Sequence, residues 1–216
     1  MDEIEAKFYV SDLIRIETRI QELGARLIQP RIFEINMRFD QPDGRLRSEG
    51  QVLRLRQDTE ARLTYKSGGV SANGIISRRE IEFTVEDFDK AKLFLEALGY
   101  QKLFIYEKYR TTYLLESNSL LSENRKQASG IQSCHIMFDE LPYGNFIEIE
   151  GEDFDSIGAV AKYLELDMKT SVTVSYAVLF ERAKQNLNLP FDDLTFENFK
   201  NLHIATDNLQ VQPADR

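Results

Sequence analysis

Residues 3–7 read Glu-Ile-Glu-Ala-Lys, a run in which charged and apolar side chains alternate. Successive side chains of a β-strand point to opposite faces, so this run places three charged groups on one face and apolar groups on the other. The same division recurs in later stretches, at Leu53-Arg54-Leu55-Arg56, Arg79-Glu80-Ile81-Glu82, Glu107-Lys108-Tyr109-Arg110 and Phe146-Ile147-Glu148-Ile149-Glu150. The sequence therefore predicts amphipathic strands that each carry a charged face.

The charges on these faces sort by strand, which is unusual for a face exposed to water. Some faces are nearly all acidic, and others are nearly all basic and rich in arginine. A large open sheet has edges that need protection, whereas closure into a barrel removes them and turns the charged faces inward. Inward charges are costly unless they are paired or hold ions. We therefore predict an α+β fold, with a closed antiparallel β-barrel of about eight strands that forms a tunnel and helices packed outside it.

The rest of the chain supplies further strands and four helices. Alternation bounded by turn residues predicts strands at 2–8, 27–40, 52–56, 62–66, 76–85, 100–115, 134–139 and 145–150. Apolar residues at helical spacing predict helices at 12–23, 87–98, 154–164 and 172–186. The polar segments 67–74 and 116–130 are predicted to be surface loops.

The chain is predicted to form one domain over residues 1–185 and a partly helical C-terminal extension over residues 186–216. The extension has the pattern of one short helix followed by a frayed end. It either plugs one end of the barrel or covers the face of a homodimer, and the sequence does not distinguish these roles.

Composition narrows the functional class. The formal net charge of −9 disfavours nucleic acid and anionic membranes as partners, because an acidic surface repels both. No apolar run reaches the ~18–20 residues of a membrane span, and the N-terminus lacks the layout of a signal peptide. Cys134 is the one cysteine, so a soluble protein in a reducing cytoplasm is expected. Two histidines are too few for a zinc site, and the sequence has no glycine-rich phosphate loop and no serine nucleophile elbow.

The inward charges fall into two complementary sets. The basic set suits a polyanion such as a small-molecule triphosphate, and it comprises Lys7, Arg54, Arg56, Lys66, Lys108 and Arg110. The acidic set suits a hard divalent cation with oxygen ligands, and it comprises Glu3, Glu5, Asp139, Glu148 and Glu150. Neither set is stable when buried without the other, so the sequence favours a triphosphate and a metal ion as joint ligands.

The order of these motifs resembles the CYTH superfamily, the triphosphate tunnel metalloenzymes, which joins class IV adenylyl cyclases with thiamine and inorganic triphosphatases. Residues 3–7 resemble its E-x-E-x-K opening, and Thr64-Tyr65-Lys66 resembles its lysine strand. The other stretches quoted above resemble, in order, its R-x-R, middle E-x-E, K-x-R and late E-x-E strands. Asp139 falls where the family keeps an aspartate, and Ser175-Tyr176 matches a pair in the closing helix. The resemblance covers roughly residues 1–180 and is nearest to the bacterial and archaeal cyclase-like branch.

The resemblance implies a role for each motif residue. The basic set would bind the triphosphate, and the acidic set would bind Mg²⁺ or Mn²⁺ as the cofactor. Glu5 and Lys7 would act in catalysis, while Glu80 and Glu82 would support the arginines. The implied function is metal-dependent hydrolysis of inorganic or nucleoside triphosphate. The implied alternative is a class IV adenylyl cyclase that makes cyclic AMP and pyrophosphate from ATP.

Two positions argue against thiamine triphosphate as the substrate. Thiamine-type members carry a tyrosine two residues before the aspartate that ends the second strand, and a tryptophan near the R-x-R strand. This chain has Arg38 and Val52 at those places and contains no tryptophan. A non-catalytic carrier of nucleotide or polyphosphate stays open, although it would not need the full acidic set. A one-sided sheet that binds another protein also stays open, and it predicts charged faces that are open to water.

Buried cations that lack partners repel one another. The sequence therefore predicts that Arg54→Ala or Lys108→Ala removes most triphosphate binding and leaves the fold as stable as before, or more stable. Tyr106, on the same long strand as Lys108, is predicted to be a packing residue.

Overall fold

The computed structural model describes residues 2–116 and 132–216, and the loop predicted at 116–130 lies outside the described residues except for Glu116. Eight antiparallel strands close into a barrel in the order β1-β5-β4-β3-β2-β6-β7-β8, with β8 paired to β1. The strands are β1 (Asp2–Val10), β2 (Arg26–Asp40), β3 (Val52–Gln57), β4 (Ala61–Ala72), β5 (Ile75–Val85), β6 (Gln101–Leu115), β7 (Cys134–Leu141) and β8 (Gly144–Gly151). With helices packed around this barrel, the predicted α+β barrel fold is confirmed.

Seven α-helices are present in the described ranges. They are α1 (Leu13–Glu22), α2 (Arg45–Ser48), α3 (Phe88–Ala97), α4 (Phe154–Tyr163), α5 (Tyr176–Leu187), α6 (Phe196–Phe199) and α7 (Thr206–Leu209). Asp12, Asp87 and Asp153 cap α1, α3 and α4 by accepting a backbone N–H from the first turn, which fixes where these helices begin. None of the described helices is long and apolar enough to span a membrane.

The main apolar core lies outside the barrel, between the barrel wall and helices α1 and α4. Phe8 of β1 and Ile149 of β8 pack with Ile16 of α1 and Val160 of α4. Burial of each such side chain contributes roughly 1.5–3 kcal/mol. A register slip of one residue would expose these groups, so the outer packing also fixes which side chains face the interior. The charged rows point inward because their apolar neighbours pack outward.

The β4–β5 hairpin extends further than the sequence predicts. The prediction of a loop at 67–74 is wrong over most of its length, because β4 continues to Ala72 by pairing with β5 beyond a local irregularity. Asn73 and Gly74 form the turn with φ values of 51° and 83°. A Cβ at Gly74 would lie 2.0 Å from Ser171 Oγ, so the hairpin tip packs closely against the segment that leads to α5.

One end of the barrel is closed by α5 and the C-terminal extension. The inward-facing Phe104 and Phe146 meet α5, with ring centroids 6.3 Å from Phe180 and 5.1 Å from Tyr176, respectively. The extension adds Leu189, Leu194, Phe199, Ile204, Leu209 and Val211 to the same apolar cluster. Of the two roles considered for the extension, the structure therefore supports the plug.

The extension and the segment before α5 also satisfy free strand edges. Leu194 pairs with β6, and its N–H donates to the carbonyl of Ile105 at 2.9 Å. The N–H of Val172 donates to the carbonyl of Lys7 on β1 at 2.7 Å. This extended pairing explains why α5 begins at Tyr176 and not at residue 172 as predicted.

Pro213, Ala214 and Asp215 are buried and only the final Arg216 beyond them is exposed, so the prediction of a frayed end is wrong. The Ala214 N–H donates to the Tyr9 carbonyl at 2.9 Å. The Asp215 carboxylate accepts hydrogen bonds from the N–H groups of Ser11 at 3.0 Å and Asp12 at 2.9 Å. The tail is thereby tied to the junction between β1 and α1.

Candidate active site

The charged faces of the strands surround an interior cavity of about 320 Å³. All six members of the predicted basic set line it, with the carboxylates Glu3, Glu5, Glu80, Glu82, Glu148 and Glu150. Arg38, Arg78 and Tyr106, which the sequence did not assign to ligand binding, also line it. The interaction-module hypothesis required these faces to be open to water, and the structure contradicts it.

Strands β1, β4 and β5 bring together one group of paired charges. Lys66 Nζ lies 2.6 Å from Glu3 and 2.9 Å from Glu80, while Arg78 lies 3.2 Å from Glu3 and 3.0 Å from Glu5. Burial alone would raise the pKa of Glu3, but Lys66 and Arg78 lower it to about 2. Glu3 is therefore ionised at every pH at which the protein would be assayed.

A second group of charges joins β1, β6 and β8 through Glu148. Its carboxylate lies 3.1 Å from Lys7 Nζ and also pairs with Arg110. Burial would raise the pKa of Glu148, but the two cations and Lys108 hold it well below its ordinary value. The carboxylate is therefore an anion that already has two cationic partners within the barrel.

Asp139 lies behind the cations and does not line the cavity, unlike the other members of the predicted acidic set. Its carboxylate accepts hydrogen bonds from Lys108 at 2.8 Å, Arg110 at 2.5 Å and the Tyr176 hydroxyl at 2.8 Å. Glu34, which the sequence did not single out, lies 3.4 Å from Lys108. The two carboxylates fix the direction of the Lys108 and Arg110 side chains.

The arginines of β3 have weaker internal partners. Arg54 lies 3.4 Å from Glu82 and donates to the Tyr106 hydroxyl at 3.3 Å, while Arg56 lies 3.1 Å from Glu82. Glu82 also accepts a 2.7 Å hydrogen bond from Thr64. Tyr106 is thus a packing residue, as predicted, and in addition holds Arg54 in place.

Several arginines of this wall have spare hydrogen-bonding capacity. The buried Nε atoms of Arg38, Arg54 and Arg56 donate no hydrogen bond within the described part of the chain. The nearest carboxylate to one of them is Asp58, at 3.6 Å from Arg56 Nε. Buried donors without acceptors are rare in proteins, because each costs about 1–3 kcal/mol. This wall of the cavity therefore fits a ligand with several anionic oxygens.

The acidic wall, in contrast, fits a cation. Burial raises the pKa of Glu150 to about 7, and the nearby anions Glu3 and Glu5 add to this effect. Glu150 is the direct strand partner of Glu5, so two carboxyl groups face the interior side by side on β1 and β8. Within residues 2–116 and 132–216, no three acidic or histidine side chains converge on one point, because most of these carboxylates turn toward Lys and Arg. The donor set is nevertheless that of a hard divalent ion.

Glu150 gives the protein a testable dependence on pH. Between its ordinary carboxyl pKa of 4.5 and its folded pKa of about 7, the unfolded chain ionises while the folded protein stays protonated. This group therefore lowers the stability as the pH rises through that window. In EDTA, Glu150→Gln is expected to melt together with the wild type at pH 4 and about 2–6 °C above it at pH 8.

Thermal unfolding followed by circular dichroism at both pH values measures this effect. Glu152→Gln is the matched control, because Glu152 is exposed and two residues away on the chain. A melting difference of equal size at pH 4 and pH 8 would show that Glu150 does not hold a raised pKa.

The interior continues to the opposite end of the barrel, where a second cavity measures about 460 Å³. Both cavities share the lining residues Arg56, Glu82, Arg110, Met137 and Glu150. The outer lining of the second cavity is less charged and includes Ile28, Ile32 and Thr112. The barrel interior is therefore a tunnel whose most strongly charged section lies on the α5 side.

Most of the cavity residues that the sequence analysis did not assign could have been found from the rule that every second residue of a strand lies on the same face. Arg78 lies on the same face of β5 as Glu80, and Glu34 lies on the same face of β2 as Arg38. Nothing in the local sequence shows that Asp139 lies behind Lys108 and Arg110 and does not line the cavity, because that depends on how β6, β7 and α5 pack together.

Comparison with known proteins agrees with the family that the sequence motifs resemble. A family model described as the CYTH domain matches residues 1–176. A protein of Methanocaldococcus jannaschii named "putative adenylate cyclase" is 27% identical over 117 residues, which make up 54% of this chain and 66% of that protein. The chain thus spans slightly less than two thirds of that relative.

Solved structures share the same fold. A "putative adenylate cyclase" from Vibrio parahaemolyticus superposes with a TM-score of 0.63 at 20% identity, covering 81% of this chain and 94% of that one. A "putative adenylyl cyclase" from Hippeastrum, described as having a dominant triphosphatase activity, has a TM-score of 0.59 at 16% identity and covers 83% and 95%. At these identities the likeness establishes the fold alone.

Proposed function

Because the chain belongs to the CYTH domain family, we propose that it hydrolyses a triphosphate with Mg²⁺ or Mn²⁺ inside the tunnel. The substrate class is inorganic or nucleoside triphosphate. Water attacks the terminal phosphorus and loses a proton to solvent, and the bond from that phosphorus to the bridging oxygen breaks. The products are inorganic phosphate and a diphosphate that keeps the bridging oxygen.

The observation that carries this proposal is the excess hydrogen-bonding capacity of the buried arginines. Arg38, Arg54 and Arg56 line the same cavity, and each has a buried Nε without an acceptor in the described part of the chain. Phosphate oxygens match guanidinium groups in pairs, so a triphosphate supplies the acceptors that the protein lacks. A charged sheet face that served only solubility would leave such donors exposed to water, where they are hydrated.

The chain's own residues have distinct tasks in this proposal. Lys7, Arg54, Arg56, Lys66, Lys108 and Arg110 bind the phosphates and offset the charge that develops on them. Asp139 and Glu34 orient Lys108 and Arg110, and Glu82 orients Arg54 and Arg56. We therefore assign Asp139 to positioning the cations and not to binding metal.

Glu3, Glu5 and Glu150 are the residues that would hold the divalent cation, and they offer carboxylate oxygens on one wall. When bound, such an ion polarises phosphoryl oxygens and activates water. Glu5 lies on the strand face between Glu3 and Lys7 and is the direct partner of Glu150, so it contributes to placing the attacking water. Glu148 already pairs with Lys7 and Arg110, so we assign it to orienting the catalytic Lys7.

The test is a substrate screen with identification of the product. Tripolyphosphate, ATP and thiamine triphosphate are incubated with Mg²⁺, with Mn²⁺ and with EDTA. Metal-dependent release of inorganic phosphate from tripolyphosphate or ATP is expected, with little release from thiamine triphosphate. Cyclic AMP and pyrophosphate from ATP would instead establish the cyclase, which the name of the Methanocaldococcus relative favours. Tight binding of triphosphate without any product would establish a carrier.

A further inference from the structure

Arg38 differs from the other cations of the cavity because it has no acidic partner. Each of the other seven cations that line the cavity has a carboxylate within 4 Å, whereas Arg38 has none in the described part of the chain. Its Nε is buried and donates no hydrogen bond. Burial and the charges of Arg54 and Arg78 lower the pKa of Arg38 to about 10, although Tyr106 and Asp40 act in the opposite direction. The group stays charged at neutral pH and has no carboxylate within 4 Å in residues 2–116 and 132–216.

A neighbour of Arg38 on β2 also lacks hydrogen-bond partners. The inward row of β2 also carries Asn36, which is 0% exposed and whose amide oxygen and nitrogen both lack partners in the described chain. Arg38 is the direct strand partner of Arg54 on β3, and Asn36 is the partner of Arg56. The β2–β3 wall thus holds several buried polar atoms without hydrogen-bond partners in the described chain, and Arg38 is its one cation there without a carboxylate within 4 Å.

The first turn of α5 lines the same cavity as Arg38 through Ser175, Tyr176 and Ala177. The first backbone N–H groups of a helix have no partners within the helix, and its N-terminus carries a partial positive charge. Ser175 accepts from the Val178 N–H at 3.4 Å and so satisfies one of these groups. Arg38 and the start of α5 therefore add positive charge to the same section of the tunnel.

We infer that Arg38 determines specificity by binding a terminal phosphate on the α5 side of the cavity, so that the protein prefers inorganic polyphosphates to triphosphates with an organic substituent. This inference rests on the proposed hydrolysis of a triphosphate. Both ends of inorganic triphosphate are terminal phosphates, whereas the α-phosphate of a nucleoside triphosphate is esterified, has fewer charged oxygens and is followed by an uncharged nucleoside. An organic group at this position leaves the Arg38 guanidinium buried without an acceptor, which is unfavourable.

The experiment compares tripolyphosphate with ATP for the wild type, Arg38→Gln and Arg79→Gln. Arg79 is the matched control, because it is an exposed arginine that neighbours the inward Arg78 on β5. For each protein, kcat/KM is measured from phosphate release, and Kd is measured by calorimetry with Mg²⁺. Circular dichroism melts establish that the variants are folded.

The wild type is expected to prefer tripolyphosphate in both kcat/KM and Kd. Arg38→Gln is expected to lower kcat/KM for tripolyphosphate by about 10–100-fold, the value of a hydrogen bond to a charged group, and to change the value for ATP less than threefold or so. Arg79→Gln is expected to change neither substrate.

An equal loss for both substrates in Arg38→Gln, or a wild-type preference for ATP, overturns the inference while the proposed hydrolysis stands. If no substrate is turned over, the proposed hydrolysis fails, and the ratio of the two Kd values still decides the role of Arg38. An unchanged ratio in Arg38→Gln then overturns the inference on its own.

Discussion

Lys108→Met is expected to unfold roughly 10 °C below the wild type in the absence of ligands. Lys108 is 1% exposed, and its Nζ lies 2.8 Å from Asp139 and 3.4 Å from Glu34. Removal of one partner from a buried ion pair costs about 3–5 kcal/mol, and here the cost falls mainly on Glu34, whose other cation, Arg110, lies 3.9 Å away. The sequence alone predicts the opposite, since it treats the cations as mutually repelling. In the structure Lys108 has carboxylate partners that the strand pattern did not reveal, so its removal is expected to lower the stability of the fold and not to raise it.

Thermal unfolding in EDTA measures this effect, and Lys102→Met is the matched control. Lys102 lies on the same strand, but its side chain is 42% exposed and its pair with Asp193 is 3.3 Å long. An exposed pair contributes about 0–1 kcal/mol, so the control is expected to melt within about 3 °C of the wild type. The double variant Lys108→Met/Glu34→Gln is expected to regain part of the loss, because it removes one of the uncompensated carboxylates. A Lys108→Met protein that melts at or above the wild type would contradict the buried ion pair.

Arg54→Gln is expected to lower kcat/KM for tripolyphosphate by about 10²–10³-fold with little change in stability. Arg54 lines the cavity, and its buried Nε has no acceptor in the described part of the chain, so we expect the side chain to serve the ligand more than the fold. The carboxylate that it leaves behind keeps other partners, since Glu82 still has Arg56 at 3.1 Å and Thr64 at 2.7 Å. The fold therefore loses little when the charge of Arg54 is removed.

Steady-state phosphate release measures kcat/KM for this variant, and a melt of the same preparation measures its stability. Arg45→Gln is the control, because Arg45 is exposed on α2 and its ion pair is with the neighbouring Glu49, away from the cavity. Loss of activity that runs parallel to a large loss of stability would show that Arg54 serves the fold and not the ligand. Activity within about threefold of the wild type would remove Arg54 from the phosphate site.

The alternation of charged and apolar residues predicts a large part of this protein. The inward rows of β1, β3 and β8 are found where the period of two places them, because the outward residues between them, such as Phe8 and Ile149, have a core to fill. Closure of the barrel also follows from that pattern, since a buried charged face requires an enclosed space. The predictions that depended on this local rule are the ones that the structure confirms.

The errors come from contacts that are distant in sequence. Residues 67–72 have loop composition, yet they form a strand because β5 pairs with them. Asp215 shows no periodic signal, but its carboxylate is buried because the N–H groups of Ser11 and Asp12 lie beside it. Arg38 was noticed only as a departure from a family pattern, and the absence of an acidic partner is visible only in three dimensions. Local composition contains none of this information.

The pairing of opposite charges within the tunnel has a consequence for how ligands bind together. Lys66 and Arg78 are held by Glu3 and Glu5, so a metal ion that takes those carboxylates releases the ammonium and guanidinium groups for phosphate. A polyanion that takes the cations likewise releases the carboxylates for metal. If the protein binds both ligands as proposed, each would raise the affinity for the other by the same factor, as thermodynamic linkage requires. The barrel would therefore bind metal and polyphosphate together when both are abundant. When either one is scarce, its cations and carboxylates would stay paired with each other.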